Sequence, residues 1–201
     1  MDLSLFMNPI HPLDRAYLHT LREDRETVIL ADRLGFKDAF IGEHVTDKAE
    51  NITNSALFLA SLASDTRTIR LGTGTANLPQ SHPALIAGHI AMLDHLLEGR
   101  FNFGISQGIL ASDSEALEIT HGERDAMFLE AIDHILALWT SDPPYRRAGK
   151  YWSITTEKTQ NPEIGTGYIQ KPYQKPHPPI FGSVINPDSK GLVALAARGW
   201  T

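Results

Sequence analysis

The sequence predicts an α/β fold with a parallel sheet, and three observations lead to this class. Five short apolar runs alternate strictly with longer segments that have helical periodicity. Such alternation is typical of parallel strands, because each strand needs a crossover connection, usually a helix. The strand runs are almost wholly apolar, as expected where helices cover both faces of a sheet.

The five predicted strands are apolar runs that span residues 3–7, 38–43, 69–75, 101–106 and 179–184. The five predicted helices carry apolar side chains three and four residues apart and span residues 22–34, 54–63, 82–97, 121–139 and 188–198. This spacing is typical of a helix with one buried face. Gly35, Gly99 and Gly199 stand where three of these helices end, a position that glycine favours.

One segment, residues 140–178, interrupts the alternation and is rich in proline and glycine. Connections of this length are usually functional. We interpret the segment as an insertion before the fifth strand that forms a lid or an extra hairpin, with a short strand at residues 149–154. Residues 1–201 as a whole are interpreted as one domain.

The composition excludes several classes of protein. The formal net charge is −6 and no Lys/Arg run exceeds two residues, so nucleic-acid binding is not expected. No stretch approaches the roughly 18 apolar residues of a membrane span. The chain has no cysteine, which excludes disulfides and thiolate catalysis and fits a cytoplasmic location.

The number of units leaves the architecture open. An eightfold βα barrel typically takes about 250 residues, and this chain shows five units. A fragment of a barrel, a barrel edge covered by a partner, and an open doubly wound sheet all remain possible on this ground. The length alone favours the open sheet.

Four collinear motifs distinguish these architectures. They are Phe-Ile-Gly-Glu-His at 40–44, Arg-Leu-Gly-Thr-Gly-Thr-Ala-Asn-Leu-Pro at 70–79, Gly-Arg-Phe-Asn-Phe-Gly-Ile at 99–105, and Lys-Pro-Tyr-Gln-Lys-Pro-His-Pro-Pro-Ile at 171–180. Their order and spacing resemble the bacterial-luciferase-like flavin-dependent monooxygenases, and the blocks at 8–12 and 139–144 resemble the limonene-monooxygenase branch. The resemblance implies a (β/α)8 TIM barrel, of which this chain forms the N-terminal five βα units.

The resemblance also implies a function. Reduced, diffusible FMN from a separate flavin reductase would react with O2 to form a C4a-peroxyflavin, which oxygenates a small apolar substrate. The enzyme alternative is an F420-dependent oxidoreductase. The alternative of another class is a non-catalytic flavin-binding protein or an inactive fragment. The expected partners are the substrate, O2, the reductase and a second copy of the chain.

His44 is the predicted catalytic residue. It follows the second strand, and the active site of a parallel barrel lies at the carboxyl ends of its strands. An imidazole can move a proton near neutral pH, and His44 matches the active-site histidine of the family. The alternative is a strand-end histidine bonded to backbone. Glu43 is expected to be structural and to need a partner, either His44, a backbone amide or an arginine.

The glycine-rich stretch after the third strand is a weak phosphate-loop motif, because it lacks the P-loop lysine. By itself it predicts a strand that ends in a glycine bulge. The resemblance implies more: the flavin ring would lie against this bulge at Gly74 and Thr75, which would be joined by a cis peptide bond. Asn77 would then reach the polar edge of the flavin.

Two positions are candidates for the flavin phosphate. Gln107 stands where relatives closest to luciferase carry an arginine, and glutamine brings no charge. Ser189, within residues 186–189, lies where the fifth helix begins, and free helix N–H groups suit a phosphate. Asp188 is an unfavourable neighbour for that anion, and a plain helix cap is an equally good interpretation of the segment.

The substrate pocket is predicted to be apolar and to include Met7, Asn8 and Ile109, together with Phe6. No metal site is expected. His82, His89 and His95 on the third helix lack the four-residue spacing of a helical metal pair. His82 is interpreted as the helix boundary and His89 as a core histidine.

Overall fold

The computed structural model describes residues 2–119, 121–183 and 190–200. Its strands are β1 (Ser4–Met7), β2 (Asp38–Ile41), β3 (Arg70–Thr73), β4 (Ala76–Asn77), β5 (Phe101–Ser106), β6 (Arg146–Ala148), β7 (Ser153–Thr155) and β8 (Ile180–Gly182). Its α-helices are α1 (Tyr17–Arg33), α2 (Ser55–Ala60), α3 (Pro83–Leu96), α4 (Ala111–Ala116), α5 (Arg124–Thr140) and α6 (Lys190–Ala197). Short 3-10 turns precede α3 and α5.

Six strands form one parallel sheet. Five of them follow the order β1–β2–β3–β5–β8, and at least one helix separates each of these five from the next along the chain. β3 pairs with the amino end of β5 and β4 pairs with its carboxyl end. The sheet is open in the described part of the chain, where β1 and β8 are not paired with each other. The predicted α/β class with five parallel βα units is therefore confirmed.

Several element boundaries depart from the predictions. α1 begins at Tyr17 instead of residue 22, and no side chain caps its start, so no capping residue marks it in the sequence. β2 ends at Ile41 instead of residue 43. β3 ends at Thr73 instead of residue 75, and β4 resumes the line after Gly74 and Thr75. α4 has no counterpart among the predicted helices.

The main core lies between the outer face of the sheet and the helices. Leu71 and Phe103 point outward from β3 and β5 and are almost fully buried. Trp139 of α5 packs edge-on against Phe103, with ring centroids 5.9 Å apart, and its indole N–H donates to the carbonyl of Ala87, 3.0 Å away. Burial of these large side chains supplies the main driving force for packing the helices on the sheet.

A polar layer crosses the inner face of the sheet near the amino ends of its strands. The buried carboxylate of Asp38 accepts from Arg70 Nε at 2.7 Å, from Asn102 Nδ2 at 2.9 Å and from Ser4 Oγ at 3.2 Å. These four residues lie on neighbouring strands, so one carboxylate links β1, β2, β3 and β5. Mutual hydrogen bonding offsets the cost of removing these groups from water.

The segment of residues 140–178 contains an extra hairpin, formed by β6 and β7. The segment leaves the end of α5 and reaches the start of β8 at the amino ends of the strands, whereas the turn of the hairpin runs back along α5, where Lys150 Nζ donates to Glu123 Oε1 at 2.8 Å. Gln174 Nε2 donates to the carbonyl of Phe101, the first residue of β5, and to Asp94 Oδ1. The segment thus contains the extra hairpin that was one of the two predicted alternatives, and the lid interpretation stays a prediction. The strand predicted at residues 149–154 is displaced to Ser153–Thr155.

Glu130 of α5 anchors this hairpin. Its carboxylate accepts from the backbone N–H groups of Lys150, Tyr151 and Trp152 at 2.8–2.9 Å. Burial acts to raise the pKa of Glu130, but these three hydrogen bonds outweigh it and lower the pKa below its ordinary value. The ionised side chain of Glu130 thus holds the turn of the hairpin on α5, and Arg147 Nε adds a bond to Nδ1 of His134 at 3.3 Å.

No α-helix in the described ranges is long and apolar enough to span a membrane.

Asp32 at the end of α1 holds the segment that leads into β3. It accepts from the N–H groups of Arg67, Thr68 and Ile69 and from the hydroxyl of Thr68, at 2.7–2.9 Å. Burial acts to raise its pKa, but these bonds outweigh burial and hold the pKa at about 2, below the ordinary 3.8. The carboxylate therefore stabilises the fold wherever it is ionised.

We expect Asp32→Asn to lower the free energy of unfolding at neutral pH by about 2 kcal/mol, the value of a shift of this size. Because the folded pKa is depressed, the contribution is fully present above 3.8 and disappears as the pH falls through about 2. Urea unfolding curves measured over this range should show the difference between wild type and variant shrinking. Glu26→Gln, at an exposed position of the same helix, is the control and should leave stability nearly unchanged.

Candidate active site

One cavity of about 290 Å³ opens at the carboxyl ends of β1, β2, β3 and β5. Eight of the residues that the sequence associates with a site or with its pocket lie along it: Phe6, Asn8, His44, Gly74, Thr75, Asn77, Gln107 and Ile109. The lining is completed by Gly42, Glu43, Glu50, Ser106 and Ser183. The strand order brings these separate segments together, because parallel strands end at the same edge of the sheet.

His44 lies in the wall between two carboxyl groups. Its Nδ1 is 3.4 Å from Oδ2 of Asp113, and its Nε2 is 3.6 Å from Oε2 of Glu50. Its backbone N–H donates to the carbonyl of Ile52 at 2.9 Å, which folds the following loop back on the strand end. The ring thus contacts acids, and not backbone as the alternative interpretation had it.

Asp113 of α4 is the buried partner of His44. It accepts from the hydroxyl and N–H of Thr46 at 2.6 and 2.8 Å and from the N–H of Val45 at 3.3 Å. Burial acts to raise the pKa of Asp113, but the bonds from Thr46, Val45 and His44 outweigh it and lower the pKa. Asp113 is not among the residues predicted from the sequence. Its only local signal is its place as an acid in the first turn of a short helix.

Glu43 has the structural partners that its burial requires. Its carboxylate accepts from the N–H and hydroxyl of Ser55 at 2.7 and 2.6 Å and from the N–H of Asn77 at 3.0 Å. Burial raises the pKa of Glu43 despite these bonds. The expected partners of Glu43 were His44, a backbone amide or an arginine, and the structure shows bonds to backbone amides. Glu43 therefore ties the start of α2 to the strand that follows the bulge.

The bulge lies where the sequence places it, between β3 and β4. The peptide bond between Gly74 and Thr75 is cis, as the resemblance implied. A Cβ at Gly74 would lie 3.0 Å from the backbone N of Ile41 and from Cβ of Phe40, so position 74 has little room for a side chain. Gly42 is similar, since a Cβ there would lie 2.3 Å from Oδ1 of Asn8. These two glycines, called the glycine wall below, add no side chain to the cavity lining beside His44.

Asn77 lines the cavity but its amide is already bonded. Its Oδ1 accepts from Ser106 Oγ at 2.8 Å, and its Nδ2 lies 3.5 Å from the carbonyl of Glu43. Ser106 Oγ in turn accepts from Thr75 Oγ1 at 2.7 Å and from the N–H of Gly108 at 3.1 Å. The side chain of Asn77 thus holds the wall together, and the expectation that Asn77 reaches the polar edge of a flavin stays a prediction.

Three further predicted residues differ in their placement. Met7 is absent from the lining, because strand side chains alternate and Met7 points to the helix side, where it packs on the core; Phe6 takes the cavity side. Gln107 and the largely exposed Ile109 do line the cavity. Ser189 lies outside the described residues.

Arg124 is a cation that no sequence motif singles out. From the first turn of α5, its Nη1 donates to the carbonyl of Gly108 at 2.9 Å. Its Nε is buried and has no hydrogen-bond partner among the described residues. The permanent positive charge of Arg124 therefore lies beside the turn that carries Gln107, whose own side chain is uncharged.

The histidines of α3 lie away from the cavity. His82 caps the helix, with Nδ1 accepting from the N–H of Ala84 at 3.2 Å, as predicted. His89 is exposed and not a core residue, since it lies on the outer side of the helix. His95 contacts the carbonyl of Lys171. Among the residues that the structure describes, no group of three or more His, Asp or Glu side chains is arranged to hold a metal ion.

Comparison with known proteins gives consistent matches. The family model described as luciferase-like monooxygenase matches residues 1–201. 4-Hydroxyprotoasukamycin monooxygenase of Streptomyces nodosus subsp. asukaensis is 34% identical over 160 residues, which cover 80% of this chain and 43% of that protein. Limonene 1,2-monooxygenase of Rhodococcus erythropolis is 36% identical over 135 residues, which cover 67% of this chain and 35% of that protein.

A solved structure matches over the whole chain. It is the oxygenating constituent of 3,6-diketocamphane monooxygenase from the CAM plasmid of Pseudomonas putida in complex with FMN, a type II Baeyer–Villiger monooxygenase. The TM-score is 0.90 at 25% sequence identity, and the match covers 100% of this chain and 56% of that one. The chain spans less than half the length of the two curated relatives.

Proposed function

The chain belongs to the luciferase-like monooxygenase family, and on this premise we propose that it acts in the oxygenase component of a two-component monooxygenase. The component would use reduced FMN and O2 to oxygenate a small apolar substrate, and a separate reductase would supply the reduced flavin. The FMN-bound relative is itself an oxygenating constituent of its monooxygenase, which supports a division of this kind.

One observation carries the proposal. His44, the bare glycine wall at Gly42 and Gly74, and the turn at Gln107 line a single cavity at the carboxyl ends of the parallel strands. This is the end of a βα barrel at which active sites are built. The chain also superposes in full on a protein whose structure holds FMN.

The residues present fit a flavin. A planar ring system needs a wall without protruding side chains, and Gly42 and Gly74 line the cavity without adding any. The hydroxyl of Thr75 and the amide of Gln107 offer polar contacts along the same cavity. We assign Gly74, Thr75 and Gln107 to the flavin on this basis, and Ser189 stays a prediction.

Arg124 is our candidate for the phosphate of FMN. A guanidinium pairs with phosphate oxygens through several N–H donors, and the buried Nε of Arg124 has no partner among the described residues. Its bond to Gly108 fixes it beside Gln107. The charge that Gln107 lacks would thus come from the first turn of α5.

We expect Arg124→Gln to weaken FMN binding by roughly 10- to 100-fold, the range for a lost hydrogen bond to a charged group. Riboflavin, which has no phosphate, should bind wild type and variant equally. Equilibrium titration with both flavins measures this. Arg22→Gln, at an exposed position of α1, is the matched control, and an equal loss for riboflavin would contradict the assignment.

His44 would hold or move a proton at the cavity. Asp113 accepts from Nδ1, which leaves Nε2 as the nitrogen that faces the cavity side. Reduced FMN, when bound, supplies the electrons that activate O2. Phe6 and Ile109 offer apolar surface at the same opening, where they would exclude water and contact an apolar substrate.

The function is tested with photochemically reduced FMN, ¹⁸O2 and a panel of cyclic terpenes and ketones. We expect an oxygenated product that carries ¹⁸O, with the reductase needed only for repeated turnover. Independently of substrate, bound reduced FMN should react with O2 at a rate different from that of free reduced FMN. Flavin binding without either effect would favour the non-catalytic alternative, and tight binding of F420 without FMN binding would favour the F420 alternative.

We propose that the exposed face of α2 and α3 forms the interface of a homodimer. Leu85, Met92 and Leu96 recur on one side of α3 and are each at least half exposed, and Leu57 of α2 is 73% exposed. Leu57, Met92 and Leu96 border an apolar groove between the two helices. Contiguous apolar surface of this kind is typical of protein interfaces.

We expect the wild-type chain to run at twice the mass of one chain in light scattering and Met92→Glu to run at the mass of one chain, because a buried unpaired charge opposes association. Val193→Glu, at an exposed position of α6, is the control and should remain a dimer. A wild-type monomer at micromolar concentration, or dissociation of both variants alike, would contradict the proposal.

A further inference from the structure

Glu50 is a carboxyl of the cavity wall that the function proposed above does not use. The loop that carries it is held by local hydrogen bonds. The N–H of Glu50 donates to Oδ1 of Asp47 at 3.1 Å, and the N–H of His11 donates to the carbonyl of Ala49 at 2.9 Å. The loop therefore presents Glu50 to the strand end at a fixed place, next to His44.

The two oxygens of Glu50 have different surroundings. Oε2 is 3.6 Å from Nε2 of His44. Oε1 is buried and has no hydrogen-bond partner among the described residues. A Cβ at Gly42 would lie 2.9 Å from this Oε1, so the glycine leaves room for the carboxyl to reach across the strand end. A buried carboxyl without a full set of partners is costly, which points to a role in the site.

The hydrogen bonds of Asp113 indicate which ring nitrogen of His44 carries the hydrogen when the ring is neutral. The carboxylate of Asp113 only accepts hydrogen bonds when it is ionised, and its bonds from Thr46 and Val45 favour that form. Nδ1 of His44 must then carry the hydrogen that Asp113 accepts. In the neutral ring, Nε2 is consequently the unprotonated nitrogen, and it faces Glu50.

We propose that Glu50 is a positioning residue for His44: its carboxyl shares one proton with Nε2 of His44 at the cavity wall, while Asp113 holds the opposite ring nitrogen. The proton either lies on Glu50, beside a neutral imidazole, or lies on Nε2, beside an ionised carboxylate. The two atoms are 3.6 Å apart, so the side chains must move slightly closer, or one water must bridge them, before the proton passes between them. The orientation of the His44 ring at the cavity is thereby fixed, and the shared proton stays on either Nε2 or the carboxyl of Glu50.

The charges around the pair are consistent with a shared proton. Burial raises the pKa of Glu50, the charge of Asp47 adds to the rise, and His44 opposes it. The acids that face the pair are Asp47 on the same loop, Asp113 on α4 and Glu43 at the strand end. A carboxyl with a raised pKa titrates closer to an imidazole, which is the condition for one proton to serve both groups.

The use of this proton in flavin chemistry rests on the proposed function, but the pairing itself does not. It is tested without flavin by ¹⁵N NMR of the full chain, through the long-range couplings that distinguish the two ring nitrogens of His44. We expect the neutral ring of the wild type to carry its proton on Nδ1. A neutral ring with its proton on Nε2 would overturn the proposal, and this measurement needs no variant.

The role of Glu50 is tested by Glu50→Gln. We expect the pH midpoint of the His44 ring titration to move down by roughly one pH unit or more, because an anionic neighbour is removed. Glu115→Gln, which removes the same charge from an exposed position of α4, is the matched control and should leave the midpoint unchanged. Glu50→Asp should restore part of the shift.

An unchanged midpoint in folded Glu50→Gln would overturn the pairing even if the protein bound FMN and oxygenated a substrate. A lowered midpoint in a protein that does not bind FMN would support the pairing and contradict the proposed function alone. The two failures are therefore distinguishable.

Discussion

Gly104→Ala is expected to destabilise the protein by more than about 3 kcal/mol and to lower its Tm by roughly 10 °C. A Cβ at this position of β5 would lie 1.9 Å from the backbone carbonyl oxygen of Thr73 in β3. Backbone of a neighbouring strand cannot move aside as a flexible side chain would. Thermal unfolding followed by circular dichroism measures the effect.

Gly88→Ala is the matched control for this prediction. Gly88 lies within α3, and a Cβ there would meet no atom within 4 Å. Alanine should therefore raise the free energy of unfolding by about 0.5–1 kcal/mol, because glycine is the more costly residue in a helix. Equal destabilisation of both variants would contradict the strand packing described for β3 and β5.

His44→Ala is expected to reduce the rate of product formation at saturating reduced FMN by about 10²- to 10⁴-fold, the usual contribution of a positioned acid or base. FMN affinity should change far less, because the glycine wall and Arg124 remain. Single-turnover assays with ¹⁸O2 measure the rate, and equilibrium titration measures the affinity.

His89→Ala is the control, since this histidine is exposed on α3 and away from the cavity. Its rate should equal that of the wild type. A rate for His44→Ala within a few-fold of the wild type would show that the imidazole does not move the proton.

The fold class followed from local sequence patterns. β5 has the predicted bounds of residues 101–106, because Arg100 and Gln107 stand at the two ends of a run that is largely apolar. The same reasoning placed the five parallel units in their order. Local patterns could not predict the polar layer around Asp38, since Asp38 and Asn102 are 64 residues apart and meet only when the strands are side by side.

α4 illustrates a second limit. It has six residues and no continuous apolar face, so no helical period is visible. Asp113 within it is held by Thr46, which is 67 residues away in the chain. Tertiary contacts of this kind override local propensity and leave little trace in a single sequence.

The candidate site also contains residues that local motifs predict and residues that only the tertiary structure brings together. His44, Gly74 and Thr75 belong to contiguous motifs and could be named from the sequence. Glu50 and Arg124 could not, because a returning loop and the start of α5 bring them to the cavity. Met7 was predicted to line the pocket, but its neighbour Phe6 does so instead. Because side chains alternate along a strand, an error of one position moves a residue to the opposite face of the sheet.

The central claim is that flavin binds at the carboxyl ends of the strands, against the glycine wall beside His44. The most direct test is to titrate the ¹⁵N-labelled chain with FMN and to map the amide shift changes. We expect the largest changes at residues 42–44, 74–77 and 106–109. Changes confined to other parts of the chain, such as the polar layer around Asp38 at the amino ends of the strands, or no saturable change at all, would contradict the claim.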